Sequence, residues 1–341
     1  MKLLAIDGNS ILNRAFFGIK VLTTKDGQYT NGIYGFLNIL NRLEADIQPD
    51  AVAVAFDMKA KTFRHEMYSE YKGNRKGMPE ELASQMPVLK EILDALGYVM
   101  VSREGWEADD ILGTLAKSAA ENGHHCYIAT GDRDSLQLVD DNVTVVLATT
   151  SMGKSQNVMM DKEAVKEKYS LDVSQLIDLK ALMGDTSDNI PGVKGVGEKT
   201  AVSLLQKFGT LDGVYENIED PFIKKGMREK LKNDKEMAYL SKQLGTISTS
   251  APVETDVSRY TKQSGDLSKA RDILTSLEMY TMADKLCGRA QLSFETAVAD
   301  SNLDTVKIEE YSADMDKAIV WIADDVAVLV WDKKVEKIPQ L

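Results

Sequence analysis

The sequence predicts an α/β fold with a mostly parallel central sheet flanked by helices, followed by a mainly helical region. Short apolar runs without polar alternation lead to this prediction, since they are typical of strands covered on both faces. The runs occupy 2–6, 51–56, 126–129 and 143–147. Helical patterns between them occupy 30–45, 80–96 and 108–122. This alternation is typical of parallel strands joined by right-handed crossovers.

Length and composition place broad limits on the protein. A chain of 341 residues with 43% hydrophobic residues can bury a large core and predicts more than one domain. No apolar run approaches ~18 residues, so we expect no membrane contact. The apolar run at the start is too short for a signal peptide. Two cysteines, Cys126 and Cys287, lie far apart in the chain, which favours a reducing, cytoplasmic compartment.

Charge is distributed unevenly along the chain. The net charge of −12 argues against nonspecific nucleic-acid binding by the molecule as a whole, but a binding face depends on its local field. Two segments are basic, 59–76 and 224–235. Their cations are Lys59, Lys61, Arg64, Lys72, Arg75 and Lys76 in the first, and Lys224, Lys225, Arg228, Lys230, Lys232 and Lys235 in the second. Either segment alone could be a solvated helix face, and for 224–235 we favour that alternative.

Aspartates follow three of the predicted strands at the point where each ends. Asp7 and Asp57 directly follow the first two runs, and Asp132 and Asp134 come shortly after 126–129. The carboxyl ends of parallel strands meet at one sheet edge, where ligands bind in such folds. One such aspartate is a routine turn residue, whereas three at equivalent positions predict a site.

Further acids lie at helix boundaries. Glu107, Asp109 and Asp110 open the helical pattern at 108–122 and exceed what helix capping needs. Asp185 and Asp188, three residues apart after the apolar segment 176–183, would face the same way on a helix end. Like charges this close repel each other unless a cation lies between them.

The acidic residues together predict a metal site. Its candidate ligands are Asp7, Asp57, Glu107, Asp109, Asp110, Asp132, Asp134, Asp185 and Asp188. No histidine or cysteine lies in these clusters, so all-oxygen ligation favours Mg²⁺ or Mn²⁺ over zinc. Two such ions about 4 Å apart hydrolyse phosphodiesters in known enzymes. Lys72 and Arg75 could assist as electrophiles beside the scissile phosphate, and Arg14 is a candidate phosphate contact.

A glycine-rich turn follows Asp188 and opens the next amphipathic helix. It reads Gly192-Val193-Lys194-Gly195-Val196-Gly197. Exposed backbone N–H groups at such a helix start can bind phosphate, and Lys194 and Lys199 are the cations placed to help. A surface loop with an ordinary helix cap is the alternative. Phe16 and Phe17 are predicted to lie in the core.

The ordered motifs resemble those of the 5′-nuclease domain of bacterial DNA polymerase I, in the flap-endonuclease superfamily, over about residues 1–290. The matching motifs are Ala-Ile-Asp-Gly-Asn-Ser at 5–10, Ala-Phe-Asp at 55–57, Thr-Phe-Arg-His at 62–65, Tyr-Lys-Gly-Asn-Arg at 71–75, Glu-Ala-Asp-Asp at 107–110, Thr-Gly-Asp-Arg-Asp at 130–134 and Gly-Asp-Thr-Ser-Asp-Asn-Ile-Pro-Gly at 184–192. All nine acids match the metal ligands of that family.

The resemblance implies a PIN-like nuclease core with a helical arch at about 60–90, through which a single-stranded 5′ flap passes. Its substrate-contacting residues would be Arg64, Tyr71, Lys72 and Arg75, although for Tyr71 we slightly favour packing over stacking on a base. The turn would be a helix-hairpin-helix element that grips duplex DNA, with Gly192, Lys194, Gly195, Gly197 and Lys199, and with K⁺ held by backbone carbonyls.

The implied function is a two-metal, structure-specific 5′ nuclease acting in replication and repair. Its substrates would be 5′ flaps, single-strand/double-strand junctions, nicked ends and RNA primers on DNA. We expect a monomer in the bacterial cytoplasm, associated with the nucleoid, with a polymerase domain in cis if the natural chain is longer. A related RNA nuclease and a non-catalytic junction-binding module are the alternatives.

The predicted domains follow from pattern and resemblance together. The nuclease core occupies 1–180, and a helical DNA-binding region occupies 181–290 with the helix-hairpin-helix at 184–207. A linker at 291–305 loses periodicity. The tail, 306–341, resembles the start of an exonuclease-like domain, with a predicted two-stranded hairpin at 318–322 and 326–331.

Overall fold

The computed structural model describes residues 1–75, 77–151, 154–288, 319–323, 326–331 and 334–338. It contains two compact units, Met1–Arg289 and Ala290–Leu341. Each unit is described by itself. The predicted linker at 291–305 lies outside the described residues.

A six-stranded sheet forms the centre of the first unit. Its strands are β1 (Lys2–Asp7), β2 (Ala51–Ala55), β3 (Val99–Val101), β4 (His125–Thr130), β5 (Val143–Ser151) and β6 (Lys154–Met160). They lie in the order β3-β2-β1-β4-β5-β6. All neighbouring pairs are parallel except β5 and β6, so the predicted mostly parallel sheet is confirmed.

Helices cover the sheet and continue beyond it. Those up to the last sheet strand are α1 (Gly8–Gly18), α2 (Asn31–Ile47), α3 (Phe63–Met67), α4 (Glu80–Ala83), α5 (Gln85–Ala95) and α6 (Ala108–Glu121). Those after it are α7 (Lys162–Tyr169), α8 (Leu176–Met183), α9 (Glu198–Phe208), α10 (Leu211–Glu216), α11 (Lys225–Asn233), α12 (Lys235–Gly245), α13 (Leu267–Ser276) and α14 (Tyr280–Cys287). Short 3₁₀ helices occupy Asp134–Leu138, Val173–Gln175 and Val257–Tyr260. The mainly helical second half is therefore confirmed, with its start after β6.

The apolar runs lack polar alternation because both faces of the sheet are buried. In β1, Leu4 and Ile6 enter one core cluster together with helices α1, α2 and α5. Leu3 and Ala5 point the other way, into a second cluster with α6. Burial on both faces removes the polar positions that mark a half-exposed strand.

The predicted arch region contains α3, α4 and the start of α5. The single helix expected over 80–96 divides into α4 and α5. Leu82 and Leu89 are fully buried in the main core, so part of the 60–90 range packs into the core of the unit. In the loop after α3, Lys72 pairs with Glu107 and Arg75 pairs with Asp188.

The hairpin that follows α8 is built by glycine and valine. Gly192 has a φ of 62°, and a Cβ there would lie 2.2 Å from the Gly184 nitrogen, so any side chain at this position would clash with backbone. Val193 and Val196 are buried in a cluster with residues of α8 and α9. The two helices and the turn therefore form one packed element.

The second unit contains a three-stranded antiparallel sheet. Its strands are β7 (Ile319–Ala323), β8 (Val326–Trp331) and β9 (Lys334–Ile338), paired in that order. The predicted hairpin is confirmed over β7 and β8, while β9 was not predicted. Within the residues described, no helix is both long enough and apolar enough to span a membrane.

Candidate metal centre and nucleic-acid interface

Acidic side chains from three strand ends and one helix start meet in a single cleft. It has a volume of about 890 Å³, and its lining includes Asp7, Asp57, Glu107, Asp109 and Asp132. These residues span more than a hundred positions of the sequence. Their convergence follows from the sheet, because β1, β2 and β4 are adjacent parallel strands that end at the same edge.

Asp7 is fixed between the sheet and the first helix. It ends β1 and caps α1, accepting a hydrogen bond from the Ser10 N–H at 2.9 Å. Its second oxygen accepts from the Thr130 hydroxyl at 3.0 Å. Burial raises the pKa of Asp7 to about 7, and repulsion from Asp57 and Asp132 adds to this, although the bonds from Ser10 and Thr130 oppose it. A cation in the cleft would relieve that cost.

Asp109 experiences the same crowding. Burial raises its pKa well above the ordinary aspartate value, and the charges of Asp7, Asp132 and Asp134 raise it further. Asp57 is tied to the start of the same helix, because its Oδ1 accepts from the Ala108 N–H at 2.8 Å. The cleft thus collects more negative charge than it can hold in ionised form without a cation.

A second acidic group continues from the first. Asp134, Asp185 and Asp188 each offer a carboxylate oxygen, and these three oxygens lie within 4.8 Å of one another. Asp132 joins the two groups, since it also lines a smaller pocket with Asp134 and Asp185. Among the described residues, this second group alone reaches the spacing at which three ligand atoms could hold one ion.

The turn 185–190 brings Asp185 and Asp188 to one side, as predicted, although it is a turn and not a helix end. Asp185 and Ile190 exchange two backbone hydrogen bonds of 2.9 and 2.8 Å, which close it. Ser187 donates its N–H and its hydroxyl to Asp185 Oδ1. These bonds fix the direction of the Asp185 carboxylate.

Lys180 is a residue of this site that the sequence did not reveal. It lies in α8, is 9% exposed, and pairs with both Asp134 and Asp185. Burial raises the pKa of Asp134 to about 6 despite this lysine. Burial also acts to raise the pKa of Asp185, but bonds from Lys180 and Ser187 outweigh it and lower the value to about 2. The sequence feature that could have drawn attention to Lys180 is its position within the largely apolar segment 176–183.

Two predicted roles are corrected by burial. Asp110 has no exposed surface, and both its oxygens accept from the Arg64 guanidinium at 2.8 Å. They also accept from the backbone N–H groups of Glu107 and Ser248, so Asp110 is a partner of Arg64 and not a metal ligand. Arg64 is 2% exposed and also donates to the carbonyls of Leu244 and Thr246. It therefore ties α3 to the end of α12 and has no surface for DNA.

Tyr71 and Gly192 are likewise not surface groups. Tyr71 is 3% exposed, and its hydroxyl donates to Glu107 at 3.1 Å, which supports the packing alternative and corrects the DNA contact. Gly192 is buried, and its N–H donates to the Ser241 hydroxyl at 2.9 Å. The predicted phosphate contact of Gly192 is therefore also corrected, since the group is already used inside the fold.

Two cations of the first basic segment line the cleft, together with one from α1. Lys72 and Arg75 line it, as does Arg14. Lys72 Nζ lies 2.8 Å from Glu107 Oε1, and Arg75 pairs with Asp188. About half of the Arg75 side chain is exposed. These cations thus stand between the acids and the solvent, where a phosphate would approach.

The hairpin exposes the groups predicted for duplex contact. Lys194, Gly195, Gly197 and Lys199 are all exposed. Gly197 is the N-cap of α9 and offers no side-chain cap bond, so backbone N–H groups at this helix start are open to an anion. The roles of these residues in binding stay predictions.

Two further side-chain expectations have clear outcomes. Phe17 is 67% exposed and lines the cleft, so its predicted core position is wrong, whereas Phe16 packs partly against the core.

In the second basic segment, Arg228 and Lys232 both pair with Glu219. Internal pairing of this kind favours the solvated-face interpretation of 224–235.

Comparison with known proteins gives one consistent result. A family model described as the N-terminal resolvase-like domain of 5′-3′ exonuclease matches residues 2–170, and the model of its C-terminal SAM fold matches 171–268. Curated relatives include DNA polymerase I of Caldicellulosiruptor bescii, 41% identical over 91% of this chain, and DNA polymerase I of Bacillus subtilis, 43% identical over 89%. The chain spans 36% and 34% of those relatives, about a third of their length.

Solved structures agree on the fold. One, of T5 5′-exonuclease with divalent zinc ions bound, matches with a TM-score of 0.60 at 22% identity, covering 84% of this chain and 97% of that one. Another, the catalytic core of Rad2 in complex with DNA substrate, has a TM-score of 0.56 at 17% identity and covers 84% and 91%. These structures show the fold alone. The two consecutive family models together match most of the chain, and they show that it belongs to the 5′-3′ exonuclease family.

Proposed function

We propose that this chain is a structure-specific 5′ nuclease that hydrolyses DNA phosphodiester bonds. The observation that carries the proposal is the meeting of acids from three strand ends, α6 and the turn 185–190 in one place, inside a family of nucleases. Such crowding is costly unless cations neutralise it. A non-catalytic junction-binding module would gain nothing from buried carboxylates that repel one another.

The residues fit a pair of hard divalent cations. All the donors are carboxylate oxygens, which is the ligand set of Mg²⁺ and Mn²⁺. Asp134, Asp185 and Asp188 would hold one ion, and the group Asp7, Asp57, Glu107, Asp109 and Asp132 would hold the other. When bound, two such ions activate water and stabilise the leaving oxygen in phosphodiester hydrolysis.

The cations of the cleft would position the substrate. Lys72 pairs with Glu107, and Arg75 pairs with Asp188. A divalent ion bound to these carboxylates would weaken both ion pairs. The ammonium and guanidinium are then available to the non-bridging oxygens of the scissile phosphate, where developing charge is stabilised. Arg14, on the α1 side of the same cleft, would bind an adjacent phosphate.

The hairpin would hold the duplex portion of the substrate. Lys194 and Lys199, with the N–H groups near Gly195 and Gly197, form a surface suited to phosphates. We propose that K⁺ assists there through backbone carbonyls. Phosphate contacts carry no base information, so the enzyme would select junction shape. Its substrates would be 5′ flaps, single-strand/double-strand junctions, nicked ends and RNA primers paired to DNA.

The biological setting is proposed from the relatives. Their name, DNA polymerase I, supports a role for this chain in replication and repair, with a polymerase domain in cis if the natural chain is longer. The core at 1–180, the DNA-binding region at 181–290 and the exonuclease-like start at 306–341 remain the proposed division. A monomeric state and a cytoplasmic, nucleoid-associated location are proposed with it.

Cleavage of a labelled 5′-flap duplex tests the function. We expect cutting near the junction in Mg²⁺, no cutting in EDTA, and a loss on the order of 10³-fold or more for Asp132→Asn, because the cleft then lacks an anionic ligand. Asp141→Asn is the matched control, since Asp141 is an exposed aspartate paired with Lys162. Full activity in EDTA, or preference for single-stranded RNA over the flap, would contradict the proposal.

A further inference from the structure

Lys180 lies where a metal ion would be expected. Its ammonium contacts Asp134 and lies 2.9 Å from Asp185 Oδ2. Both carboxylates belong to the three-acid group with Asp188. A buried lysine between two acids needs such pairing to remain charged, and the acids need the lysine to lie so close together.

We propose that Lys180 is a positioning residue that serves as an internal counter-ion for this half of the site. In the metal-free protein it holds Asp134 and Asp185 at ligand spacing, and it leaves them when a divalent ion binds. The inference rests on the proposed metal requirement, and it assigns to Lys180 the control of metal entry.

Competition follows from the atoms involved. Lys180 contacts Oδ2 of Asp134 and Oδ2 of Asp185, and both carboxylates also belong to the three-acid group that could hold an ion. An ammonium supplies one positive charge to the pair, whereas Mg²⁺ or Mn²⁺ supplies two at a shorter distance. Exchange is therefore favourable, but the apparent affinity is reduced by the interaction that must be broken.

The fold gives the displaced side chain a place to go. A cavity of about 370 Å³ lies beside Lys180, and Asp134, Asp185, Tyr169 and Glu198 also line it. Glu198 provides a carboxylate in this cavity that could receive the ammonium. The lysine stem passes Gly245 in α12, where a Cβ would lie 3.0 Å from Lys180 Cδ. The glycine thus leaves room for the stem in its present path.

Metal binding measured on the full chain tests the proposal without an activity assay. Lys180→Met keeps the apolar stem and removes the charge. We expect a lower Tm than wild type in EDTA, because Asp134 and Asp185 then repel each other. Calorimetric titration with Mn²⁺ alone should show the Kd of one site tightened on the order of tenfold, since a competing charge a few Å away is gone. The Tm gain on adding Mn²⁺ should grow accordingly.

Lys242→Met is the matched control. Lys242 pairs at 2.7 Å with buried Asp178, which lies in the same helix as Lys180 but is outside the three-acid group of Asp134, Asp185 and Asp188. A purely structural lysine would lower Tm by the same amount with and without Mn²⁺, as we expect for this control. An unchanged or weaker Mn²⁺ affinity in Lys180→Met would overturn the proposal.

A measurement on the wild-type protein covers the case in which Lys180→Met does not fold. Reductive methylation followed by peptide mass spectrometry reports how accessible each lysine is. We expect methylation of Lys180 to be slow in EDTA and several-fold faster in Mn²⁺, with Lys242 unaffected; equal rates would overturn the exchange. If Mn²⁺ displaces Lys180 but the protein does not cleave the flap, only the nuclease function is rejected. If the protein cleaves the flap but Mn²⁺ does not displace Lys180, only the role of Lys180 is rejected.

Discussion

Asp109 and Asp110 are adjacent in the first turn of α6, yet their side chains have different tasks. Successive residues on a helix point about 100° apart, so Asp109 lines the cleft while Asp110 turns inward to Arg64. The sequence showed that this turn carried excess acids but not which of them faced the cleft. Arg64 was misassigned for the same reason, since its burial depends on the long-range contacts of α3 with α6 and α12.

The raised pKa of Asp7 predicts how the stability of the folded protein depends on pH. Its pKa is about 7 in the folded protein against an ordinary 3.8. Between these values the folded state holds a proton that the unfolded chain has lost, so the free energy of unfolding falls as pH rises through this range. We expect metal-free protein to have a higher Tm near pH 5 than near pH 8, as measured by thermal unfolding in EDTA.

Asp7→Asn serves as the comparison for that slope, because the amide keeps the size of the side chain and does not titrate. Its Tm should vary less between the same two pH values. Mn²⁺ should reduce the slope in the wild type, since the ion binds the ionised acids and releases protons. An identical slope in wild type and Asp7→Asn would show that Asp7 does not carry the effect.

The strands at the centre of the sheet were predictable, and those at its edges were not. β1, β2, β4 and β5 are apolar on both faces and were found from the sequence. β3 has only three residues, and β6 begins with the polar stretch Lys-Ser-Gln-Asn; both lie at the ends of the strand order. Edge strands are less fully covered, so they lack the continuous apolar run. Missing β3 and β6 did not affect the prediction of the acidic site, because its acids follow central strands.

The hairpin after α8 is predicted to bind duplex DNA through its two exposed lysines. Lys194→Glu combined with Lys199→Glu should weaken binding of a flap duplex on the order of tenfold and lower the slope of log K against log salt by about 2, because two phosphate contacts are lost. Fluorescence anisotropy in EDTA or Ca²⁺ at several salt concentrations measures both quantities. Cleavage at saturating substrate should change far less.

Lys224→Glu combined with Lys225→Glu is the control for net charge. These lysines are exposed at the start of α11, in the segment that we interpret as a solvated face. The control makes the same charge change at exposed lysines that are not part of the hairpin. Equal losses of affinity in both double variants would mean that overall charge, and not the hairpin, governs DNA binding.

At the scale of the whole molecule, a net negative charge coexists with local groups of cations. The net charge of −12 coexists with Arg14, Lys72 and Arg75 at one cleft and with the exposed lysines of the hairpin. The sequence could predict Lys72 and Arg75 in this role because the first basic segment is continuous in the chain. It could not predict Lys180, whose partners Asp134 and Asp185 come together only when α8, the 3₁₀ helix 134–138 and the turn 185–190 pack.

The central claim is that acids remote in the chain form one centre for divalent cations. Anomalous diffraction from a crystal soaked in Mn²⁺ tests it most directly. We predict two Mn²⁺ peaks, one bound by Asp134, Asp185 and Asp188 and one by the group that includes Asp7, Asp109 and Asp132, with Asp110 still bound to Arg64. Peaks absent from the cleft at millimolar Mn²⁺, or a peak at Asp110 in place of these acids, would contradict the account.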